Sequence, residues 1–531
     1  MAQESLAEFI STLEQNGLLR RYSDEVRVDE LPKVMEENPD RAVLVEHVKD
    51  CIFPFFANGY GSREMYALSL KCDPKEVGRE IAKRAGLHYK ADLVATAPCK
   101  EVILRGEDVD LTIFPLFNHH PRDGQAYLND TRIVTRNPVT GEINDAIQRM
   151  MYRSTDSTNV DMRAWFHGGS IAGLRYHEIG KDMPIAVCIG GPTLDKIASM
   201  MRSPGAGIDG WDKLGGFLGG PAKIVKCETS DLTVPANAEI VLEGRVITSE
   251  GMIHDEGPYG EFPGMYGAGL PRNWNVVIDC ITYRKGAIYQ DATIGGLHPG
   301  RTDMYAFQQA IEGELFEKLQ RAGIIVQDVV APAEGGGNIA YARIKAVGGG
   351  DAMQTLGVML TGCRQYMPKI AYVFDEDVDV YDDARVKWAQ AWRYNPGHGT
   401  LIVPGQNTMP LDPSLKQNKP PFSVTKIGFD CTIGPDATRA DFEACVVTDP
   451  LPQPQVVSKL SETELIAEMG NFIREAPRTW QEVLEHFAGQ SYPIVYRAFG
   501  QLRPTHGRVA NASPNFPYTF SEGGDFVQGT E

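Results

Sequence analysis

The sequence carries no surplus of positive charge. Its 52 lysines and arginines stand against 70 aspartates and glutamates, a formal net charge of −18. Extended nucleic-acid and anionic-membrane surfaces need basic patches, so the balance argues against both partners. An anionic small molecule still fits, through a local basic pocket. No stretch of about eighteen apolar residues exists to span a bilayer. The opening MAQESLAEFISTLEQNGLL lacks the basic start and apolar run of a secretion signal. The nine cysteines include no CxxC pair. They read as reduced, mostly buried thiols, not as a disulfide frame or a zinc ribbon. No phosphate-loop or dinucleotide fingerprint occurs, and no internal repeat. The expectation is a cytoplasmic protein. What is present is an ordinary globular balance, 42% apolar and 23% charged over 531 residues. That length suits two or three domains.

Five stretches differ in character. Residues 1–117 mix helices with strands: Ser5 to Leu19 has apolar residues at helical spacing, and Pro74 opens a second helix through Ala85. Residues 118–302 are β-rich, with DTRIVTRN, DMPIAVCIGG, AKIVKCETSDLTV, AEIVLEGRVI and WNVVIDCITYR set between turn residues, as in a barrel or sandwich. A helical pattern over 303–323 looks like a connector. Residues 324–454 alternate strands with helices over Asp351 to Leu360 and Asp383 to Trp392, an α/β order that predicts parallel pairing. Residues 455–531 hold helices over Ser461 to Glu475 and Trp480 to Ala488, then a polar, glycine-rich and proline-rich tail.

Four constellations can carry chemistry. In His254-Asp-Glu256-Gly-Pro-Tyr-Gly-Glu261, two carboxylates five apart flank a Gly-Pro-x-Gly turn and can point into one cavity. Glycines there would let the backbone approach a ligand, and acids sharing a dry site should titrate apart. The plainer reading is a solvated acidic loop. In Asn144-Asp-Ala-Ile-Gln-Arg149, with His167 eighteen residues beyond the arginine, a carbonyl, an imidazole and a nearby acid make a mixed oxygen and nitrogen site. Such a site suits manganese, magnesium or ferrous iron, and Arg149 could clamp a substrate carboxylate. Singly, Asn144 is turn chemistry and His167 a structural histidine. Ala198-Ser-Met-Met201 precedes the loops SPGAGIDGWD and GGFLGG, where Ser199 and backbone can meet a phosphate or alkali cation and Asp209 a metal. The acid run from Asp375 to Asp379 can bind a divalent cation, or simply end a strand.

In this order and spacing the pieces resemble the UbiD family of prenylated-FMN-dependent decarboxylases. The carrying motifs are NDAIQRMM with His167, PIAVCIGG, ASMM, VKCETSDLTVPANAEIVLEG, EGPYGE, PKIAYVFDEDVDVYD and PLDPS. The resemblance implies an α+β and α/β multidomain fold. A central split β-barrel, flavin reductase-like (118–302), would carry the cofactor between an N-terminal α/β domain (1–117) and a C-terminal α/β oligomerisation domain (324–454). A homodimer or homohexamer would follow. It implies a catalytic set of Arg149, Glu256 and Glu261, with a covalent cofactor adduct and Glu261 protonating the carbon left behind. Cofactor contacts would fall on Asn144, Ala146, Ile147, Gln148, Arg149, Phe166, His167, Ser199, Met200, Met201 and Arg364. Metal ligands would be Asn144, His167 and an acid. The family's usual glutamate is missing, so Asp209 takes its place, with Asp212 as rival. Manganese is expected, ferrous iron is the alternative, and a potassium ion sits beside it, held in part by Ala198, Ser199 and Met201. Phe166 and His298 would face the substrate.

The implied reaction is a reversible, non-oxidative decarboxylation of an aromatic, heteroaromatic or α,β-unsaturated acid. An aromatic acyl-CoA thioester is the variant within the family, and a flavin prenyltransferase would supply the cofactor. Two other readings of the same residues are a flavin-independent, metal-dependent hydrolase or lyase, and a non-catalytic subunit of a larger complex.

Overall fold

Apolar spacing becomes structure at the first helix. Leu6, Phe9, Ile10 and Leu13 recur at helical intervals, and all four are buried along Leu6–Gln15 in a computed structural model of the protein. Ser5 and Glu8 close a capping box at its start, each backbone N–H donating to the other's side chain at 3.2 and 2.8 Å. The structure describes residues 4–154, 156–162, 168–201, 208–267, 269–298, 301, 304–362, 368–409, 411–417, 423–434, 437–442, 459–476, 478, 480–502, 518–520 and 526–528. It divides into two compact units, Met1–Thr432 and Ile433–Glu531.

The larger unit is a mixed α/β assembly of three principal sheets. The N-terminal sheet runs Leu19–Val26, Ala42–Val48, Phe55–Ala57 and then Tyr289–Asp291. That last strand comes from far along the chain, so the first two segments interlock. The helix Arg63–Leu70 is tied to the connecting helix Met304–Arg321 by a buried fork. Arg63 Nη1 and Nη2 donate to Glu312 Oε2 and Oε1 at 2.9 and 2.5 Å. Glu312 Oε1 also accepts from the Ala331 N–H at 2.8 Å, which fastens the connector to the C-terminal sheet.

The central sheet is antiparallel. Its path is Met252–Glu256, Leu270–Tyr283, Ile240–Val246, Met183–Ile189, Tyr127–Arg136 and Ile143–Met151. Val102–Arg105 and Asn159–Met162 pair alongside the long Leu270–Tyr283 strand. Among the described residues no closed barrel forms, though a single bridge from Tyr152 to Val160 links the Ile143–Met151 end of the path to Asn159–Met162. The sequence reading underestimated helix here. Gly168–Glu178, Thr193–Met200 and Gly210–Leu218 all fall in the β-rich stretch. The glycine-rich segment after Asp209, read as a loop, is a helix capped by Asp209 Oδ1, which accepts from the Trp211 and Asp212 N–H groups at 2.8 and 3.1 Å. Its buried face is Trp211, Leu214 and Phe217. Its glycines serve close packing: a Cβ on Gly216 would lie 2.0 Å from the Leu87 carbonyl oxygen.

The C-terminal sheet runs Val326–Val330, Ile339–Ile344, Ile370–Asp375, Ser423–Cys431 and Thr400–Asn407. Its three inner strands are parallel, as the alternating order predicts, and its two outer strands are antiparallel. The smaller unit packs Glu462–Glu475, Trp480–His486 and Tyr492–Leu502 around Leu465, Met469, Val483, Phe487 and Ala498. The third of these helices has no counterpart in the sequence reading, and it contains Pro493. That proline stands at the helix's second residue, where proline is tolerated. No helix among the described residues is long and apolar enough to cross a membrane.

Candidate active site

One strand and, more than a hundred residues later, two consecutive short strands deliver three charged side chains to one point. Arg149 comes near the end of Ile143–Met151, Glu256 from the end of Met252–Glu256 and Glu261 from Tyr259–Glu261. Arg149 Nε and Nη2 donate to Glu256 Oε1 and Oε2 at 2.8 and 3.3 Å. Its Nη1 donates to both Glu261 oxygens at 3.0 Å. The guanidinium fork is thus spent on the two glutamates, so Arg149 is not the free substrate clamp that the sequence alone allowed. Burial opposes its charge, and the Glu261 and Glu256 carboxylates more than offset that, raising its proton affinity. The solvated-loop reading of EGPYGE is also set aside, because both glutamates are buried.

Two tyrosines complete the setting. The Tyr259 ring lies 4.0 Å from the Arg149 guanidinium carbon and the Tyr127 ring 6.0 Å from it. Tyr127 Oη donates to Glu256 Oε1 at 3.1 Å, and Tyr259 Oη to Asn129 Oδ1 at 2.6 Å. The turn between the glutamates is held from outside by Asp123, whose Oδ1 accepts from the Gly260 N–H at 2.9 Å. Its other oxygen accepts from the His120 N–H at 2.8 Å. The close approach that the turn's glycines permit is to protein, not to ligand: a Cβ on Gly260 would sit 2.1 Å from His120 Nδ1. The Gly257-Pro258 peptide is cis.

A second cluster joins the Asn144 strand to the Ala198–Met201 segment and the Asp209 helix. Arg132 Nη2 donates to Asp145 Oδ2 at 2.6 Å, and Lys213 Nζ reaches Asp145 Oδ1 at 3.4 Å and the Met201 carbonyl at 2.8 Å. Burial would raise the Asp145 carboxyl, but Lys213 and Arg132 outweigh it and hold the group below its ordinary value. Sequence reading missed Arg132, Asp145 and Lys213, and Asp145 alone had a signal, as the residue beside Asn144. Asp212, the rival to Asp209, has Oδ1 turned to the Ala91 N–H at 2.9 Å.

Polar atoms remain to be satisfied beside this cluster. Asn144 Nδ2, Thr135 Oγ1 and both amide atoms of Gln148 are buried without a hydrogen-bond partner among the described residues. A Cβ on Gly169 would lie 3.6 Å from Thr135 Oγ1 and 3.9 Å from Asn144 Nδ2, so the start of Gly168–Glu178 abuts the Asn144 amide. Buried polar groups of this kind call for a polar ligand or water. Ala146, Ile147, Met200 and Met201 are half-buried, and Ser199 is buried with its hydroxyl donating to the Asp195 carbonyl at 2.9 Å. Phe166, His167 and Arg364 lie outside the described residues. His298 is exposed. The acid run is ion-paired, Asp377 with Arg393 at 2.6 Å and Asp379 with Lys75 at 2.7 Å, which is the structural reading of that segment. A cleft of about 850 Å³ lined by Arg27, Lys49, Phe114, Phe117 and Tyr152, among others, shares none of the charged triad.

Three family models match in sequence order: the 3-octaprenyl-4-hydroxybenzoate carboxy-lyase N-terminal domain over residues 10–85, its Rift-related domain over 92–298 and its C-terminal domain over 305–431. The phenolic acid decarboxylase of Sedimentibacter hydroxybenzoicus is 29% identical over 458 residues, covering 81% of this chain and 91% of that protein. The UbiD-class enzyme HmfF of Pelotomaculum thermopropionicum, solved in complex with FMN, superposes with a TM-score of 0.76 at 27% identity, over 84% of this chain and 97% of that one. An evolved dimeric form of HmfF in complex with prFMN superposes with a TM-score of 0.73 at 26% identity, over 83% and 97% of the two chains. The chain belongs to the UbiD family of carboxy-lyases, the UbiD-type decarboxylases.

Proposed function

We propose that the protein decarboxylates an aromatic, heteroaromatic or α,β-unsaturated acid, reversibly and without net oxidation, with prenylated FMN as cofactor. The observation that carries this is the Arg149 guanidinium, bonded within 3.3 Å to both Glu256 and Glu261. When bound, the cofactor supplies the electron sink for the pair released as the C–C bond to the carboxylate breaks. This chain's own residues manage the proton. Glu261 delivers it to the carbon left behind. Arg149 orients Glu261 and ties it to Glu256, while the tyrosine rings keep water from the guanidinium.

The unsatisfied amides of Asn144 and Gln148 and the Thr135 hydroxyl support a polar ligand beside this network. Asn144, Ala146, Ile147, Gln148, Ser199, Met200 and Met201 would hold the cofactor, together with Phe166, His167 and Arg364. Asn144, His167 and Asp209 would hold manganese or ferrous iron, and Ala198, Ser199 and Met201 a potassium ion. Asp209 stands first and Asp212 is its rival, each with Oδ1 already accepting from backbone N–H groups, Asp209 from Trp211 and Asp212, and Asp212 from Ala91. We read the central sheet as a split barrel, a view supported by the Tyr152 to Val160 bridge between its ends. Residues 118–302 form the flavin-binding domain in this reading, 303–323 the connector, and 324–454 the domain through which the chain assembles.

The test is native mass spectrometry and a visible spectrum of protein co-produced with a flavin prenyltransferase. A panel of 4-hydroxybenzoate, furan-2-carboxylate, cinnamate and an aryl-CoA thioester follows, read by CO2 release and by deuterium exchange into the product. Glu261→Gln is expected to keep the cofactor and lose turnover by at least a hundredfold. Turnover at the parent rate in that variant, or full activity in colourless protein, refutes the reading.

A further inference from the structure

Behind the charged triad lies a fourth carboxyl that the mechanism above does not use. Asp161, on Asn159–Met162, is 1% exposed. Its Oδ1 accepts from the Met151 N–H at 2.6 Å, two residues beyond Arg149 on the same strand. Its Oδ2 accepts from Asn273 Nδ2 at 3.1 Å, on the strand paired with Met252–Glu256, and from Arg153 Nη2 at 3.4 Å. Arg153 in turn donates to the carbonyl of Asp255, the residue before Glu256. One carboxyl therefore stitches together the strand that carries Arg149, the strand that carries Glu256 and the strand between them.

Resting on the reading of Arg149, Glu256 and Glu261 as the reacting network, we propose that Asp161 is its positioning residue, fixing the spacing of Arg149 and Glu256 from behind and tuning the triad by its own charge. The charged and titratable groups that act with it are Glu256 on one strand, Arg153 just beyond the strand of Arg149, and Tyr127 on a third. Asn273, on the fourth, is uncharged. Burial first, and the Glu256 carboxylate second, push the Asp161 carboxyl up to about 7, against the hydrogen bonds from Met151 and Asn273 and the charge of Arg153. The same neighbour effect appears at Tyr127, whose phenol is pushed up by burial and then by Glu256, with Asp161 contributing.

The coupling is reciprocal. Glu256 makes Asp161 harder to ionise, so the charge state of Asp161 and the field at the triad are coupled. Below neutral pH Asp161 carries its proton and acts through hydrogen bonds alone. Above it, a new negative charge stands behind the Arg149–Glu256 pair.

Asp161→Asn keeps an acceptor for the Met151 N–H and cannot ionise. In the cofactor-loaded enzyme, assayed on whichever panel acid is turned over fastest, its kcat should match the parent's within about threefold below pH 6. Above pH 7 the two should part by more than threefold in kcat, because only the parent then carries a negative charge behind the Arg149–Glu256 pair, with KM changed less than threefold. Asp161→Ser repeats the comparison with a smaller acceptor. Melting temperature gives a reading free of catalysis: between pH 4 and 7 the unfolded parent ionises Asp161 while the folded parent keeps its proton, so the variant should gain on the parent over that window and hold a constant lead above pH 7. Parallel pH profiles from 5 to 9 together with a constant gap in melting temperature overturn the proposal. An active Glu261→Gln overturns the reading beneath it instead. An inactive Glu261→Gln beside an unshifted Asp161→Asn sinks this inference alone.

Discussion

Replacing Arg149 by lysine keeps the charge and removes the fork, which isolates what the geometry contributes. The guanidinium serves Glu256 through Nε and Nη2 and Glu261 through Nη1, on different edges of one rigid plane. A lysine ammonium is a single point at the end of a flexible stem and cannot serve both flanks. One glutamate then loses its charge-assisted bonds, a loss of about 1.5–3 kcal/mol. If that loss falls on the transition state, kcat drops by roughly 10-fold to 150-fold. Arg149→Ala goes further. It leaves two buried carboxylates without their cation, so about 3–5 kcal/mol of stability should go as well. The assay is the initial rate of CO2 release per bound cofactor, counted from visible absorbance, with melting temperature measured in parallel. Arg149→Lys at full cofactor occupancy and within threefold of the parent rate would refute the claim that two-sided pairing matters.

Gly260→Ala should cost about 1–3 kcal/mol through its clash with the His120 ring. His120→Ala in the same chain should return most of that loss, and simple additivity of the two substitutions in a thermal double-mutant cycle would show that the clash is not the cause. The His119 side chain is 3% exposed, and burial lowers its pKa from the ordinary 6.5 to about 3. The unfolded chain therefore takes up a proton there that the folded chain refuses, so this residue's contribution to stability is complete above pH 6.5 and is lost as pH falls toward 3. His119→Gln should flatten the fall of melting temperature between pH 6.5 and 4, and an unchanged slope would exclude the effect.

Local patterning made most elements legible. The Leu6–Gln15 helix with its serine cap, the strands around DTRIVTRN and AEIVLEGRVI and the two helices between the C-terminal strands all follow from spacing that any short window contains. The Gly210–Leu218 helix failed that treatment because its glycines answer to distant backbone. Gly216 packs on the Leu87 carbonyl, and Gly215 on that of Tyr89. No window around either glycine holds that information. The helix at Tyr492–Leu502 is a different failure, since no element was assigned there although Pro493 is a legible helix start.

The candidate site divides in the same way. EGPYGE and NDAIQRMM stand out because charged residues crowd turns and strand ends, yet nothing in either motif says that Arg149 meets Glu256 across 107 residues. Family resemblance supplied that pairing, and the strand order explains it. Leu270–Tyr283 pairs with both Met252–Glu256 and Asn159–Met162, and the Tyr152 to Val160 bridge brings the end of the Arg149 strand onto the second of these. Asp161 sits at that junction without any motif around it, in the unremarkable run NVDM. A residue whose task is to join strands has its partners on other strands, so its own neighbourhood in sequence cannot announce it. Its chemistry becomes visible only when one asks which buried carboxyl receives a backbone N–H from the catalytic strand, and here that carboxyl is Asp161.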